Sequence, residues 1–214
     1  MLELGVKTLL AYCLGSVLGS LVLGRFRGVD IRTQGSGNAG GTNALRTQGK
    51  AFGTLVLVID ILKGVIAVKL LPLLELPGIG IDREVSREWL QLCCAAAVVA
   101  GHVWPLWYGF RGGKGAATLV GVLASLHFWT LVPLLAAWIL VLLLTGFVGL
   151  ATMLAGVALV AAVWWRTPQD APFLLFCALA AAFIIYTHRS NIERMLQGNE
   201  NRARRLWLLR PRVP

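Results

Sequence analysis

From Ala117 to Trp165 the chain runs for 49 residues without one charged side chain. Apolar runs of about 20 residues match helices crossing a hydrocarbon core of roughly 30 Å, so this stretch alone holds more than one span's worth of bilayer-compatible sequence. Composition agrees: 57% of residues are hydrophobic and 14% charged, against roughly 45–50% and about 25% in soluble domains. A disordered chain is excluded and an integral membrane protein is expected. The formal charge of +10 would suggest nucleic acid in a soluble protein. In a membrane protein it marks loops held in the cytoplasm, so no nucleic-acid partner is expected.

Further apolar runs lie at residues 4–24, 51–71 and 89–108, with a shorter one at 172–187. Within the charge-free stretch the break signals are Pro133 and the segment from Thr145 to Gly149, compatible with three spans or one long tilted one. Basic residues orient the chain because short Lys- and Arg-rich loops stay inside. Residues 24–50 hold Arg25, Arg27, Arg32, Arg46 and Lys50; residues 101–116 hold Arg111 and Lys114; the tail from 188 holds seven arginines. The 72–88 loop instead carries Glu75, Asp82, Glu84 and Glu88, and reads as the outer face. The expected architecture is an all-α polytopic membrane protein with seven transmembrane helices, five being the alternative, N-terminus outside and C-terminus inside. Residues 1–214 form one membrane-embedded domain on this reading. The first segment lacks a cleavage site and carries Glu3 near Lys7, so it is expected to stay attached.

Three polar clusters sit at the ends of apolar runs, on what the charge pattern makes the cytoplasmic side: Gly35 to Arg46, Gly101 to Thr118, and His188 to Arg202. The first formally matches G-x-G-x-x-G, but an apolar span precedes it where a dinucleotide site needs a strand in a βαβ unit. The second ends like a Walker A loop but has Tyr108 where that motif needs Gly and Gly115 where it needs Ser or Thr. What survives is their shared physics: glycines let successive backbone N–H groups converge on an anion. Gly37, Gly112, Gly113 and Gly115 supply such backbone; Lys114 and Arg46 add charge; Ser36, Asn38, Thr42 and Asn43 add neutral hydrogen bonds. Two such loops on one face suggest two phosphate groups. The plainer alternative is that the glycines only turn the chain and cap helices.

Other features read as architecture. Gly15 and Gly19, and Ser16 and Ser20, offer small residues for close helix packing. Asp60 and Lys63, three apart, would meet on one helical face as an ion pair, with a proton relay as the alternative. Cys13, Cys93, Cys94 and Cys177 lie in apolar runs at no metal-ligand spacing, and no metal is expected. Trp104, Trp107 and Tyr108 suggest an interfacial belt. The tail arginines Arg202, Arg204, Arg205, Arg210 and Arg212 suggest attraction to lipid headgroups.

Taken together, GSGN-x-G-x-TN, then GH-x-x-P with F-x-GGKG-x-AT, then HR-x-NI-x-R with G-x-E, in this order and after these spans, resemble the three motifs of the bacterial acyl-phosphate:glycerol-3-phosphate acyltransferases, the PlsY family. Gly41 departs from the pattern, which usually has Ala. The resemblance implies an enzyme of the bacterial inner membrane, its active site facing the cytoplasm. It would move a fatty acyl group from acyl phosphate to the 1-hydroxyl of glycerol 3-phosphate, releasing lysophosphatidic acid and inorganic phosphate, with no cofactor. It ties the second motif to glycerol 3-phosphate and implies Ser36, Arg46, His188 and Asn191 as further polar members of the site. His188 is a natural base near neutral pH, a substrate phosphate oxygen being the alternative. Asn191 or backbone N–H groups would stabilise the oxyanion. Glu200 is expected to pair with an arginine or helix amides. Covalent catalysis by Ser36 is the rival mechanism. A transporter of a phosphorylated metabolite is the rival function, favoured only by Asp60 and Lys63 at membrane depth.

Overall fold

The computed structural model describes residues 1–209; Arg210 and Arg212 of the basic tail lie outside the described residues. Those residues form ten α-helices, and the only β pairing among them is an isolated bridge between Leu76 and Ile79. The chain divides into two compact units, Met1–Phe128 and Trp129–Pro214.

The first unit holds α1 (Leu2–Gly15), α2 (Gly19–Arg27), α3 (Gly41–Gln48), α4 (Lys50–Lys69), α5 (Arg87–Val103) and α6 (Ala116–Leu126). The apolar run expected as one span over residues 4–24 is broken: α1 and α2 meet at a 41° bend. Small residues at the bend let α1 lie against α5 backbone to backbone. A Cβ at Gly15 would overlap the Val98 carbonyl, and one at Gly101 the Tyr12 carbonyl. Similarly, α4 and α6 touch where Gly64 faces the Thr118 carbonyl and Gly121 faces that of Ile61. Dispersion and close approach, rather than hydrophobic burial, hold such helices together in lipid. At the far end of α1, buried Glu3 accepts from Lys7 Nζ (2.7 Å) and from both Arg87 Nη atoms (2.8 Å each). The Asp82 amide also donates to Glu3, at 2.8 Å. The acidic 72–88 loop is thereby clasped to α1 and α5.

The second unit holds α7 (Leu131–Thr145), α8 (Val148–Arg166), α9 (Ala171–Thr187) and α10 (Arg189–Leu196). Pro133 does not break the charge-free stretch. It falls in the first turn of α7, where a missing N–H costs nothing, and the breaks fall at residues 127–130 and at Gly146 (φ 75°) and Phe147. The stretch thus resolves into α6, α7 and α8. Large side chains on α7 such as Val132, Ile139 and Leu140 stay half or more exposed, which in a membrane protein is surface turned to lipid. The part of the tail up to Leu208 returns to α7. The Leu208 amide donates to the Leu143 carbonyl at 2.9 Å, and Arg202 stacks on Phe147 and Trp207 at 4.2 Å each.

Among the described residues, four helices are long and apolar enough to cross a membrane, and six spans result if each bent pair, α1 with α2 and α9 with α10, counts as one. The remaining apolar helix, α6, has 11 residues and at 1.5 Å per residue extends about 16 Å, roughly half a hydrocarbon core.

Candidate active site

The first polar cluster folds as a turn leading into α3. Gly35 (φ 56°) and Gly37 (φ 72°) take left-handed backbone on either side of Ser36, which side chains other than glycine rarely adopt. Asn43 organises the turn from within. Its Oδ1 accepts the Ser36 amide (3.0 Å), and its Nδ2 donates to the carbonyls of Ile31 (3.2 Å), Gln34 (2.9 Å) and Asn38 (3.0 Å). Ser36 and Asn38 are half-buried, while Gly37, Thr42 and Arg46 are exposed. The loop therefore turns Ser36, Thr42 and Arg46 outward around an amide buried at its centre.

The second cluster begins in the last turn of α5 and ends at the start of α6. Gly112 and Gly113 donate their amides to the carbonyls of Val103 and His102, both at 3.1 Å. These two glycines therefore contribute close approach to α5. Lys114 is half-buried; Gly115, in left-handed conformation at φ 86°, precedes α6. The first amides of any helix lack intrahelical acceptors and carry the positive end of its dipole, so the start of α6 beside Lys114 suits an anion.

Arg32 binds the two clusters together. Its Nη2 pairs with Asp30 Oδ2 at 2.8 Å, while its Nη1 donates to the carbonyl of Tyr108 (3.0 Å) and, at 3.4 Å, to that of Arg111. The Arg32 hydrogen bonds hold the Asp30 carboxyl below the usual carboxylate range, against the opposing effect of desolvation. The guanidinium is raised in turn, chiefly by its hydrogen bond to Asp30. The bend between α1 and α2 adds to this clasp: Ser16 Oγ accepts the Leu106 amide (3.1 Å) and Tyr12 Oη donates to the Trp104 carbonyl (2.6 Å). Tyr108 packs on Leu18, Leu21 and Ala39, so this aromatic is a structural contact as well as an interfacial one.

In the second unit, His188 stands at the 50° bend between α9 and α10 and is buried. Its Nδ1 lies 2.7 Å from the Ile184 carbonyl. A carbonyl only accepts, so Nδ1 carries the proton and Nε2 is the basic nitrogen. Asn191, also buried, donates through Nδ2 to Glu200 Oε1 (2.7 Å), and Glu200 Oε2 accepts from Arg194 Nε (2.6 Å). Space for Asn191 exists because Gly149 lacks a side chain: a Cβ there would come within 2.8 Å of Asn191 Nδ2. Asn191, Glu200 and Arg194 thus form one chain of side-chain contacts, and His188 joins it through the main chain, its carbonyl accepting the Asn191 amide at 2.8 Å.

Asp60 and Lys63 form a buried pair at 3.1 Å on α4, and His102 joins them. Sequence reading left out His102, Arg32, Arg194 and Gly149. His102 and Arg194 lie inside the motifs and had a signal; Arg32 and Gly149 matter through partners 76 and 42 positions away in the chain, which spacing does not reveal.

The family model described as glycerol-3-phosphate acyltransferase matches residues 6–198. A glycerol-3-phosphate acyltransferase of Synechococcus sp. is 40% identical over 201 residues, covering 94% of each chain. One from Clostridioides difficile is 40% identical over 198 residues, covering 92% of this chain and 94% of its own. The crystal structure of PlsY, an integral membrane glycerol 3-phosphate acyltransferase, in its glycerol 3-phosphate form superposes with a TM-score of 0.79 at 34% identity. That match covers 93% of this chain and 94% of the other.

Proposed function

Because this chain belongs to the glycerol-3-phosphate acyltransferase family, we propose that it is the acyl-phosphate-dependent enzyme. It transfers a fatty acyl group from acyl phosphate to the 1-hydroxyl of glycerol 3-phosphate at the cytoplasmic face of a bacterial inner membrane. The observation that carries this reading is the Arg32 clasp, which gathers two glycine-built turns, one bearing Ser36 and Arg46 and the other Lys114, within one unit. Two anion-suited loops answer two phosphate-bearing substrates, and the surrounding apolar helices give the acyl chain a medium of its own kind.

Lys114, Gly115 and the first turn of α6 receive the phosphate of glycerol 3-phosphate; Gly112 and Gly113 fix that turn against α5. Ser36, Gly37, Asn38, Thr42 and Arg46 form the other polar wall, shaped from inside by Asn43. The 1-hydroxyl oxygen attacks the acyl carbon, and the bond from that carbon to the phosphate oxygen breaks. Inorganic phosphate leaves, and the hydroxyl proton passes to His188 Nε2, the nitrogen that the Ile184 contact leaves basic. Asn191, held by Glu200 and Arg194, donates to the developing oxyanion, a contribution typically worth about 2.7–4 kcal/mol per donor. A mixed anhydride already carries the driving force for acyl transfer, so the chemistry needs positioning and proton transfer.

Purified protein in lipid, given labelled glycerol 3-phosphate with either palmitoyl phosphate or palmitoyl-CoA, tests the donor. Product with palmitoyl phosphate alone is expected, and equal product from palmitoyl-CoA overturns the donor assignment. His188→Gln should lower kcat by at least a hundredfold at little change in KM, since general-base catalysis contributes about 10²–10⁴-fold. Near-normal turnover would transfer the role of base to a substrate phosphate.

A further inference from the structure

Lys63 Nζ is buried and has four neighbours: Asp60 Oδ1 (3.1 Å), the carbonyls of Gly15 and Val17 (2.9 Å each), and His102 Nδ1 (2.9 Å). An ammonium donates and never accepts, so His102 Nδ1 must accept. The imidazole is therefore neutral with its proton on Nε2, an assignment made from the partners. Asp60 Oδ1 lies 3.5 Å from the same Nδ1 and 3.4 Å from the Gly19 amide. This bridge thus joins α4, the bend between α1 and α2, and the last turn of α5.

At its other edge the His102 ring lies against the second loop. A Cβ at Gly113 would overlap His102 Nε2 and stand within 3.1 Å of both ring carbons flanking it. The His102 carbonyl accepts the Gly113 amide, and a Cβ at Gly112 would overlap that carbonyl. One residue thus seats the turn twice, by its ring and by its backbone. Meanwhile α4, which carries Asp60 and Lys63, lies flush against α6 through Gly64 and Gly121, so both ends of the Lys114 turn refer to one rigid element.

Stability alone does not explain this arrangement. Asp60 Oδ2 is buried with no hydrogen-bond partner among the described residues. A buried ion pair with an unsatisfied oxygen is commonly no better than apolar residues of the same volume. What the bridge does deliver is a fixed azimuth for the imidazole, because Lys63 donates to the ring nitrogen and is itself held in place by Asp60 and two backbone carbonyls.

We propose that His102, oriented by Lys63 and Asp60, is a positioning residue for glycerol 3-phosphate: its ring is the seat against which Gly113 is pressed, and it thereby sets where Lys114 and the first amides of α6 stand. This rests on the assignment of that turn to the substrate phosphate made above.

The test is a double-variant cycle in purified protein with palmitoyl phosphate as donor, reading kcat and the KM for each substrate. Gly113→Ala pushes a methyl group into the ring and should raise the KM for glycerol 3-phosphate at least tenfold. His102→Asn keeps an acceptor for Lys63 but lacks the atoms that touch Gly113. It should raise the same KM several-fold, with kcat within about threefold and the donor KM unchanged. Since the asparagine removes the atoms the new methyl would strike, the double variant should show a KM well below the product of the single effects. Additive effects, or a loss of kcat at unchanged KM, would overturn the positioning role. If His102→Asn does not fold, the double variant Asp60→Leu, Lys63→Met, which leaves no buried charge unpaired and frees the ring at its other edge, should give the same rise in KM, and an unchanged KM there overturns the proposal. Gly113→Ala with normal KM for both substrates would instead remove the turn from the substrate site and take this inference with it.

Discussion

In the first unit, ionisable side chains lie deep among the helices, each held by several partners, whereas in the second the polar groups of the candidate site collect at the bend between α9 and α10 and α7 carries no ionisable side chain. Lys63 meets three oxygens and a ring nitrogen drawn from three segments. Glu200, by contrast, is held by Arg194 and Asn191, both within nine residues of it in the chain. The difference teaches where each kind of polarity is useful. Long-range partners lock helices into one alignment, and they can do so only where water does not compete. Short-range partners set one side chain at a helix end, where the Glu200 side chain is 6% exposed but that of its cation Arg194 is 26% exposed, so water shares the charge and the cost of a lost contact is smaller.

The largest expected effect tests that contrast at its deepest point. Lys63→Ala leaves Asp60 charged and uncompensated, and removing one partner of a buried pair costs about 3–5 kcal/mol. Thermal unfolding in detergent should show a large loss of stability, and the double variant Asp60→Leu, Lys63→Met should recover most of it. If Lys63→Ala unfolds as the parent does, water reaches the pair and the contrast between the units fails.

Packing offers a second, smaller test, made with glycines from both units. Gly121→Ala drives a methyl group into the Ile61 carbonyl between α4 and α6; overpacking of this kind costs about 1–3 kcal/mol. Gly156→Ala in α8 meets Ala181 Cβ at an ordinary 3.4 Å. Helix propensity alone then favours alanine there by up to about 1 kcal/mol. Opposite signs in unfolding measurements sharpen the comparison, and equal losses break it.

Much of this is legible in the amino-acid sequence. Apolar length and the absence of charge gave the membrane class and the helices of the apolar runs, whereas α3 and α10, which form inside the polar clusters, do not follow from them. Polarity at span ends marked three clusters because nothing about a connection requires so many glycines, amides and cations. Less legible were the bends. Ser16 to Leu18 reads as apolar helix and breaks because α1 and α2 lean on different partners. Pro133, a breaker by composition, proved harmless because it lies in a first turn. His102 was hidden for another reason: its role depends on Lys63 and Gly113 approaching opposite edges of one ring, and no one-dimensional pattern carries that.

A third test belongs to the second unit. Glu200→Gln keeps an acceptor for Asn191 but removes the charge that Arg194 meets at 2.6 Å. A net loss of about 1 kcal/mol in stability is expected. A several-fold drop in kcat should accompany it, as Asn191 loses its fixed direction, with both KM values unchanged. A stability loss as large as that of Lys63→Ala would mean that this cluster, too, holds helices together.

The smallest effect concerns the one departure from the family pattern, Gly41. It is buried at the start of α3, and a Cβ there would come within 2.6 Å of Leu57 Cγ and Cδ2 on α4. Those atoms are the end of a half-buried side chain, not backbone, so they can swing aside. Alanine gains some helix propensity over glycine while the displaced leucine loses some contact. The two effects oppose each other, and Gly41→Ala should change stability by less than about 0.5 kcal/mol, as surface-like substitutions do, with kcat and both KM values unchanged. Gly35→Ala is the matched contrast: at φ 56°, with Asn43 Oδ1 in the way, it strains the backbone and strikes the amide that organises the loop. A marked loss at Gly41 would mean that Leu57 is pinned, and that α3 is locked to α4 as firmly as α4 is to α6.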